Sequence, residues 1–84
     1  MITKAKVKEY IQSGYHSGKM TSEKLEAISK AASKFINKYW GKYWVSAYFF
    51  EDVVNACIQS YSNEEDLSVF LEREKRMWVS PAKI

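Results

Sequence analysis

The sequence predicts an all-α fold, a small four-helix domain made of three main helices and a shorter N-terminal one, and three observations carry that expectation. Helix breakers are scarce, since one proline (Pro81) and three glycines (Gly14, Gly18, Gly41) interrupt 84 residues. Strand-type alternation of apolar and polar residues is hard to find, whereas apolar residues recur at three- and four-residue steps. Hydrophobic residues make up 46% of the chain and aromatic residues 15%, enough large apolar surface to build a core. The length fits one domain over residues 1–84, and by size scaling it buries only about 60–65% of its unfolded surface, so its stability is marginal.

The first helix is expected from Lys4 to Ser13, with Thr3 as N-cap and Gly14 as stop signal. Val7, Tyr10 and Ile11 form a narrow stripe among Lys4, Lys6 and Lys8, which suits an element lying on the body of the fold. Gly14 to Gly18 reads as a loop. The second helix runs from Thr21 or Ser22 to Trp40, with Gly41 as its break. Leu25, Ile28, Ala32, Phe35, Ile36 and Tyr39 fall within an arc of about 100°, the width of a core-facing stripe. The following Lys38-Tyr39-Trp40-Gly41-Lys42-Tyr43-Trp44 repeats a Lys-Tyr-Trp triplet at an interval of four. If the helix continues, the triplets stack on one side; if it stops at Gly41, Tyr43 and Trp44 begin a short connection.

The third helix is expected from Ser46 or Ala47 to Tyr61, capped by Ser46. Its apolar residues Phe49, Phe50, Val53, Val54, Cys57, Ile58 and Tyr61 cover about half its circumference, which marks it as the central element. The fourth opens at Ser62-Asn63-Glu64-Glu65, a capping-box pattern. Leu67, Phe70, Leu71, Met77 and Trp78 form its stripe, with Glu74 inside it, and Pro81 ends it. A carboxylate in such a stripe either pairs across to another helix or marks an edge open to water.

Catalytic chemistry is excluded mainly by what the residues lack. His16 is the sole histidine and Cys57 the sole cysteine, so one chain cannot assemble a zinc site from several such ligands. The three glycines have neither the spacing nor the flanking strands of a phosphate loop. Cys57 lies on the apolar arc of the third helix, where a thiol is an inert core residue, and His16 reads as an exposed loop side chain. Glu64, Glu65 and Asp66 lack the alternating acids and internal glycine of a calcium loop. No cofactor, metal or catalytic residue is expected. No apolar stretch reaches membrane-spanning length, and the N-terminus has no secretory apolar core. A cytoplasmic protein that does not bind membranes is the resulting expectation.

Charge is distributed unevenly. Residues 1–44 hold nine lysines against Glu9, Glu23 and Glu26, a balance of +6; residues 45–84 hold four basic residues against seven acidic ones, a balance of −3. Such asymmetry marks a basic binding face or lets the two halves attract each other. Lys30, Lys34, Lys38 and Lys42 recur every four residues beside Tyr39, Trp40, Tyr43 and Trp44. The functional expectation is a non-enzymatic interaction or regulatory protein that binds a larger protein partner through these eight residues. One alternative is a sequence-nonspecific nucleic-acid binder using the lysines for phosphates and the rings for bases. Arginine, the usual bidentate reader, occurs only at Arg73 and Arg76, which argues against base-specific recognition. Another is a self-associating structural protein, a homo-oligomer whose basic half meets the acidic half of a second copy. Should the ridge be only solvated, the region of Glu74, Met77 and Trp78 is the next place for a site.

Overall fold

A computed structural model describes residues 1–14, 20–62 and 65–84. Thr3 starts the first helix, α1 (Lys4–Ser13): its Oγ1 accepts from the Lys6 amide at 3.2 Å, satisfying one of the donors that a helix start leaves unpaired. α1 stops at Gly14, whose N–H donates back to the Ile11 carbonyl, and it buries only Val7 and Ile11. The rest of the expected Gly14–Gly18 loop, His16 included, lies outside the described residues. The second helix, α2 (Ser22–Tyr39), starts as α1 does, with Thr21 Oγ1 accepting from the Lys24 amide at 3.1 Å.

α2 ends in a type II turn. Trp40 (φ −66°, ψ 126°) and Gly41 (φ 87°) occupy its corners, and the Lys42 N–H donates to the Tyr39 carbonyl at 3.1 Å. The second corner of such a turn requires positive φ, which glycine adopts without a Cβ penalty. The chain therefore leaves the helix before the second Lys-Tyr-Trp triplet is complete, and Tyr43 opens a strand, β1 (Tyr43–Val45). Tyrosine, tryptophan and valine all favour a pleated surface.

The third helix, α3 (Phe49–Ser60), begins later than expected, and Ser46 is not its cap. The Ser46 N–H donates to the Trp78 carbonyl at 2.8 Å, while Tyr48 holds the cap position without a side-chain hydrogen bond. The fourth, α4 (Leu67–Arg73), is capped by Asp66, whose Oδ1 accepts from the Ser68 amide at 2.8 Å. Asp66, not Ser62, thus starts it; Asn63 and Glu64 of the expected capping box lie outside the described residues.

α4 also stops earlier than expected. A 3-10 turn, Lys75–Met77, follows it, and a second strand, β2 (Val79–Lys83), contains Pro81. Proline disfavours the helical region for the residue before it, so Ser80 is held extended, and β-branched Val79 prefers the same geometry. The strands pair antiparallel, Tyr43 opposite Lys83 and Val45 opposite Val79, with an irregularity between. The Ile84 N–H bonds to the Lys42 carbonyl at 3.1 Å, beyond one end of the ribbon. The fold is thus mostly helical with a small two-stranded sheet, and the purely all-α expectation is corrected.

α2, not α3, is the central element, because it packs against α1, α3 and α4. Its buried face is wider than its large apolar residues suggest: Ser29, Ala31, Ala32 and Ser33 are buried beside Ile28, Phe35, Ile36 and Tyr39. Small side chains let neighbouring helices approach closely, so they are buried without being strongly hydrophobic. α1 is fixed to α2 at its start, where the Asn37 amide donates to the Ile2 carbonyl at 2.7 Å and accepts the Ile2 N–H at 2.8 Å. Lower down, Tyr10 of α1 meets Phe50 of α3 edge to face at 5.2 Å. Phe35 is the hub of the aromatic core, with ring centroids at 4.9 Å from Tyr39, 6.1 Å from Phe49 and 6.0 Å from Trp78.

Two substitutions on α2 test this packing in opposite directions. Phe35→Ala should destabilise by about 3–5 kcal/mol through lost burial and a cavity. Ser29 is fully buried, and its Oγ has no hydrogen-bond partner among the described residues. Ser29→Ala should therefore be neutral or stabilise by up to about 1 kcal/mol, since it removes an unpaired hydroxyl and improves helix propensity. Chemical denaturation midpoints check both; a large loss for Ser29→Ala would mean that the hydroxyl is bonded.

Candidate functional site

The lysine ridge is shorter than its spacing predicts. Lys30, Lys34 and Lys38 lie on the exposed side of α2, but Lys42 follows the type II turn and leaves the helical row. Lys30 and Lys34 border a hollow between α2 and α4 that Glu23, Glu65 and Asp66 also line. Lys38 is tied down further: its Nζ is 3.1 Å from Glu72 Oε2 on α4 and lies over the Tyr39 ring at 5.3 Å. Lys75 approaches the same carboxylate at 3.9 Å and the same ring at 5.6 Å. The Tyr39 hydroxyl completes this clasp by donating to Glu72 Oε1 at 2.6 Å. At Lys38 the excess positive charge of the first half thus meets the acidic second half within one molecule.

Desolvation pushes the Glu72 carboxyl up, but the hydrogen bonds from Tyr39 and Lys38, with the charges of Lys38 and Lys75, outweigh it and hold the group below its ordinary value. The bond to Glu72 in turn holds Lys38 above its ordinary value. A second charged clasp joins α1 to α2, where hydrogen bonds from Lys4 and Lys8 hold Glu26 down at about 2. Those contacts are at 2.8 and 2.6 Å.

The four aromatic residues of the expected site do not form one surface. Tyr39 is buried in the core and Tyr43 half-buried against it, their rings 5.2 Å apart. Trp40 is 49% exposed and meets Phe49 edge to face at 6.2 Å, bordering a groove with Ile2, Tyr10 and Phe50. Trp44 is 61% exposed. Successive strand residues point to opposite faces, so Trp44 turns outward between inward-facing Tyr43 and Val45. It borders a second hollow with Arg76, Met77, Ser80 and Pro81. Met77 is 69% exposed, and Tyr48, at the start of α3, 70%.

Met77 and Tyr48 were readable only as helix residues, the first inside an apolar stripe and the second inside the third helix. Early termination of α4 and late initiation of α3 put both on the surface. The signal for the first was present in Val79 and Pro81, a β-branched residue and a helix breaker close behind Met77. Glu74 sits at the C-terminal cap of α4, half-buried, and Trp78 is buried against Phe35. Only Met77 of that expected second region faces outward.

Cys57 is fully buried on α3, and burial pushes its thiol up to about 12, a protonated and shielded group. Among the described residues no group of three or more His, Cys, Asp or Glu side chains is placed to hold a metal ion. No described helix is long and apolar enough to cross a membrane. Compared with known proteins, the chain matches no family model, no curated sequence and no solved structure.

The clasp at Glu72 yields a pH-dependent outcome. Its folded-state value lies below its unfolded one, so its stabilisation is present above the ordinary value of 4.5 and is lost as pH falls through the folded value. The side chain is 38% exposed, which screens the interaction. Glu72→Gln should cost about 1 kcal/mol or less at neutral pH and should reduce the loss of stability on acidification below 4.5. Denaturation curves at neutral and acidic pH check this; an unchanged acid dependence would show that the clasp contributes nothing.

Proposed function

We propose that the protein is a non-enzymatic interaction module that binds and modulates a larger protein through the outer face of its two-stranded ribbon, with Trp44 and Met77 at the centre. The observation that carries this reading is the hollow between them. Two large apolar side chains stand more than half exposed around it, Arg76 and Pro81 complete its wall, and no acidic residue among those described lines it. Tryptophan, methionine and arginine are the residue types enriched where proteins meet. Trp40 and Tyr48 extend the exposed aromatic area on neighbouring elements. A cytoplasmic setting belongs to the proposal, supported by the single unpaired thiol.

The lysines support the nucleic-acid alternative less well. Lys38 is already engaged by Glu72, and Lys30 and Lys34 share their hollow with three carboxylates, an arrangement that repels a phosphate backbone as much as it attracts it. Self-association through the basic and acidic halves is weakened by the same internal compensation.

Affinity capture from the native cell should recover a protein partner of defined stoichiometry with the wild-type chain and with Lys30→Glu/Lys34→Glu, but not with Trp44→Ala. Both sites are exposed, so neither change should disturb the fold by more than about 0.5 kcal/mol, and circular dichroism checks that. Loss of the partner on lysine reversal, with tight and salt-sensitive binding to an oligothymidylate probe, would overturn the reading in favour of nucleic acid. A concentration-dependent mass in light scattering would favour self-association.

A further inference from the structure

The hollow beside Trp44 also carries information on the chemistry of what fills it. Five of the thirteen lysines and arginines are matched within the fold: Lys4 and Lys8 by Glu26, Lys38 and Lys75 by Glu72, Arg73 by Glu65. None of the five lies on the ribbon. Arg76, Lys42 and Lys83 are exposed, and no carboxylate among the described residues lies within ion-pair distance of any of them. Lys83 only overlies the Tyr43 ring, at 5.9 Å.

Two of these cations bracket Trp44 along the strand direction. Lys42 stands two residues before Trp44, on the same face by strand alternation, whereas Lys83 pairs with inward-facing Tyr43 and lies over its ring on the opposite face. Arg76 lies at the other end, in the turn leading to Trp78, whose carbonyl bonds Ser46. The outer face therefore presents positive charge, an apolar hollow, then positive charge again.

The ribbon's edge is a poorer place for a partner than its face. β2 carries Pro81, which has no N–H to donate, and a lysine, both features that blunt an edge against strand addition. On the face, a strand of three residues is too short to wall a groove for a helix. An extended segment fits better, because its side chains at i, i+2 and i+4 project from one side at intervals of about 6.7 Å.

We propose that this face binds an extended acidic segment of a partner protein, in which an apolar side chain enters the hollow between Trp44 and Met77 while carboxylates two residues to either side meet Arg76 and Lys42. The proposal rests on the reading of this face as a protein contact and adds the pattern acid, any residue, apolar, any residue, acid. A partner of this kind gains desolvation at the hollow and charge-assisted hydrogen bonds at its ends, with arginine offering a bidentate match to a carboxylate.

The test is a display library of random peptides panned on the full chain, followed by titration of the best enriched peptide against the tryptophan fluorescence. Acidic sequences with a central apolar residue should be enriched. Trp44→Ala, Met77→Ala and Arg76→Glu should each weaken the selected peptide by about tenfold or more, and replacing its acids by amides should do the same. Arg76→Lys should retain part of the affinity. Enrichment of basic or uncharged sequences, no enrichment at all, or peptide binding indifferent to Trp44 and Arg76 would overturn the proposal. Binding of phosphatidylserine–phosphatidylcholine vesicles that is lost on Trp44→Ala would overturn it in favour of an anionic lipid surface. If the peptides fail while Trp44→Ala still abolishes capture of a cellular protein, the acidic chemistry is wrong and the protein-contact reading stands; if both fail, both fall.

Discussion

The contact on which the rest of the structure depends is the one between Phe35 and Trp78, two rings 6.0 Å apart and edge to face. Phe35 sits on the helix that every other helix touches, and Trp78 sits at the corner where the chain leaves its last turn for the second strand. Their meeting draws the end of the chain back over the middle. With Trp78 seated, its carbonyl reaches the Ser46 amide and Val79 comes opposite Val45. The sheet is in this sense a product of the aromatic core. Neither strand has a hydrophobic face long enough to stand alone, and an isolated two-stranded ribbon is marginal in water.

The same arrangement divides the polar surface into two kinds. Between α2 and α4, cations and carboxylates stand against one another, with Tyr39 reaching from the core to the Glu72 carboxylate. There Lys38 and Lys75 are matched by Glu72, and their charge serves the packing of two helices. Over the ribbon, Lys42 and Arg76 have no ion-pair partner among the described residues, and the Trp44 and Met77 side chains are exposed. The uneven charge of the two halves of the chain is thus partly compensated where Lys38 of the first half meets Glu72 of the second.

Local signals were strong where short-range chemistry decides. Thr3, Thr21 and Gly14 mark the ends of α1 and the start of α2 because a hydroxyl cap or a glycine stop acts within three residues. Long-range contacts decided the rest. Tyr43–Val45 carries strand formers but is too brief for its alternation to register. Ser46 resembles a cap, yet its N–H is taken by Trp78, a partner no local window contains. The last stripe looks helical through to Pro81 because Met77 and Trp78 keep helical spacing after Leu71, although one is exposed and the other buried. Ser29 and Ser33 hid the breadth of α2, since hydrophobic periodicity overlooks small polar residues that are buried for their size. Of the expected site, Trp40 and Trp44 were legible as exposed aromatics. Tyr39 belongs to the apolar stripe of α2 and is buried there, although its neighbours in the Lys-Tyr-Trp run are exposed.

The pairing of β1 with β2 also governs the order in which this molecule assembles and comes apart. The two strands are separated in sequence by the whole of α3 and α4, so closing them costs more loop entropy than packing α1 on α2. Contacts of that range form late, and regions with little buried apolar surface open first. The ribbon is accordingly the last element to be completed and the first to fray, while α2 with its neighbours holds. Amide protons of Ser46 and Ile84, which donate across the ribbon to the Trp78 and Lys42 carbonyls, should exchange with solvent through this partial opening well before those of Ile28 and Ile36, and a ligand seated across the ribbon would slow the former without touching the latter.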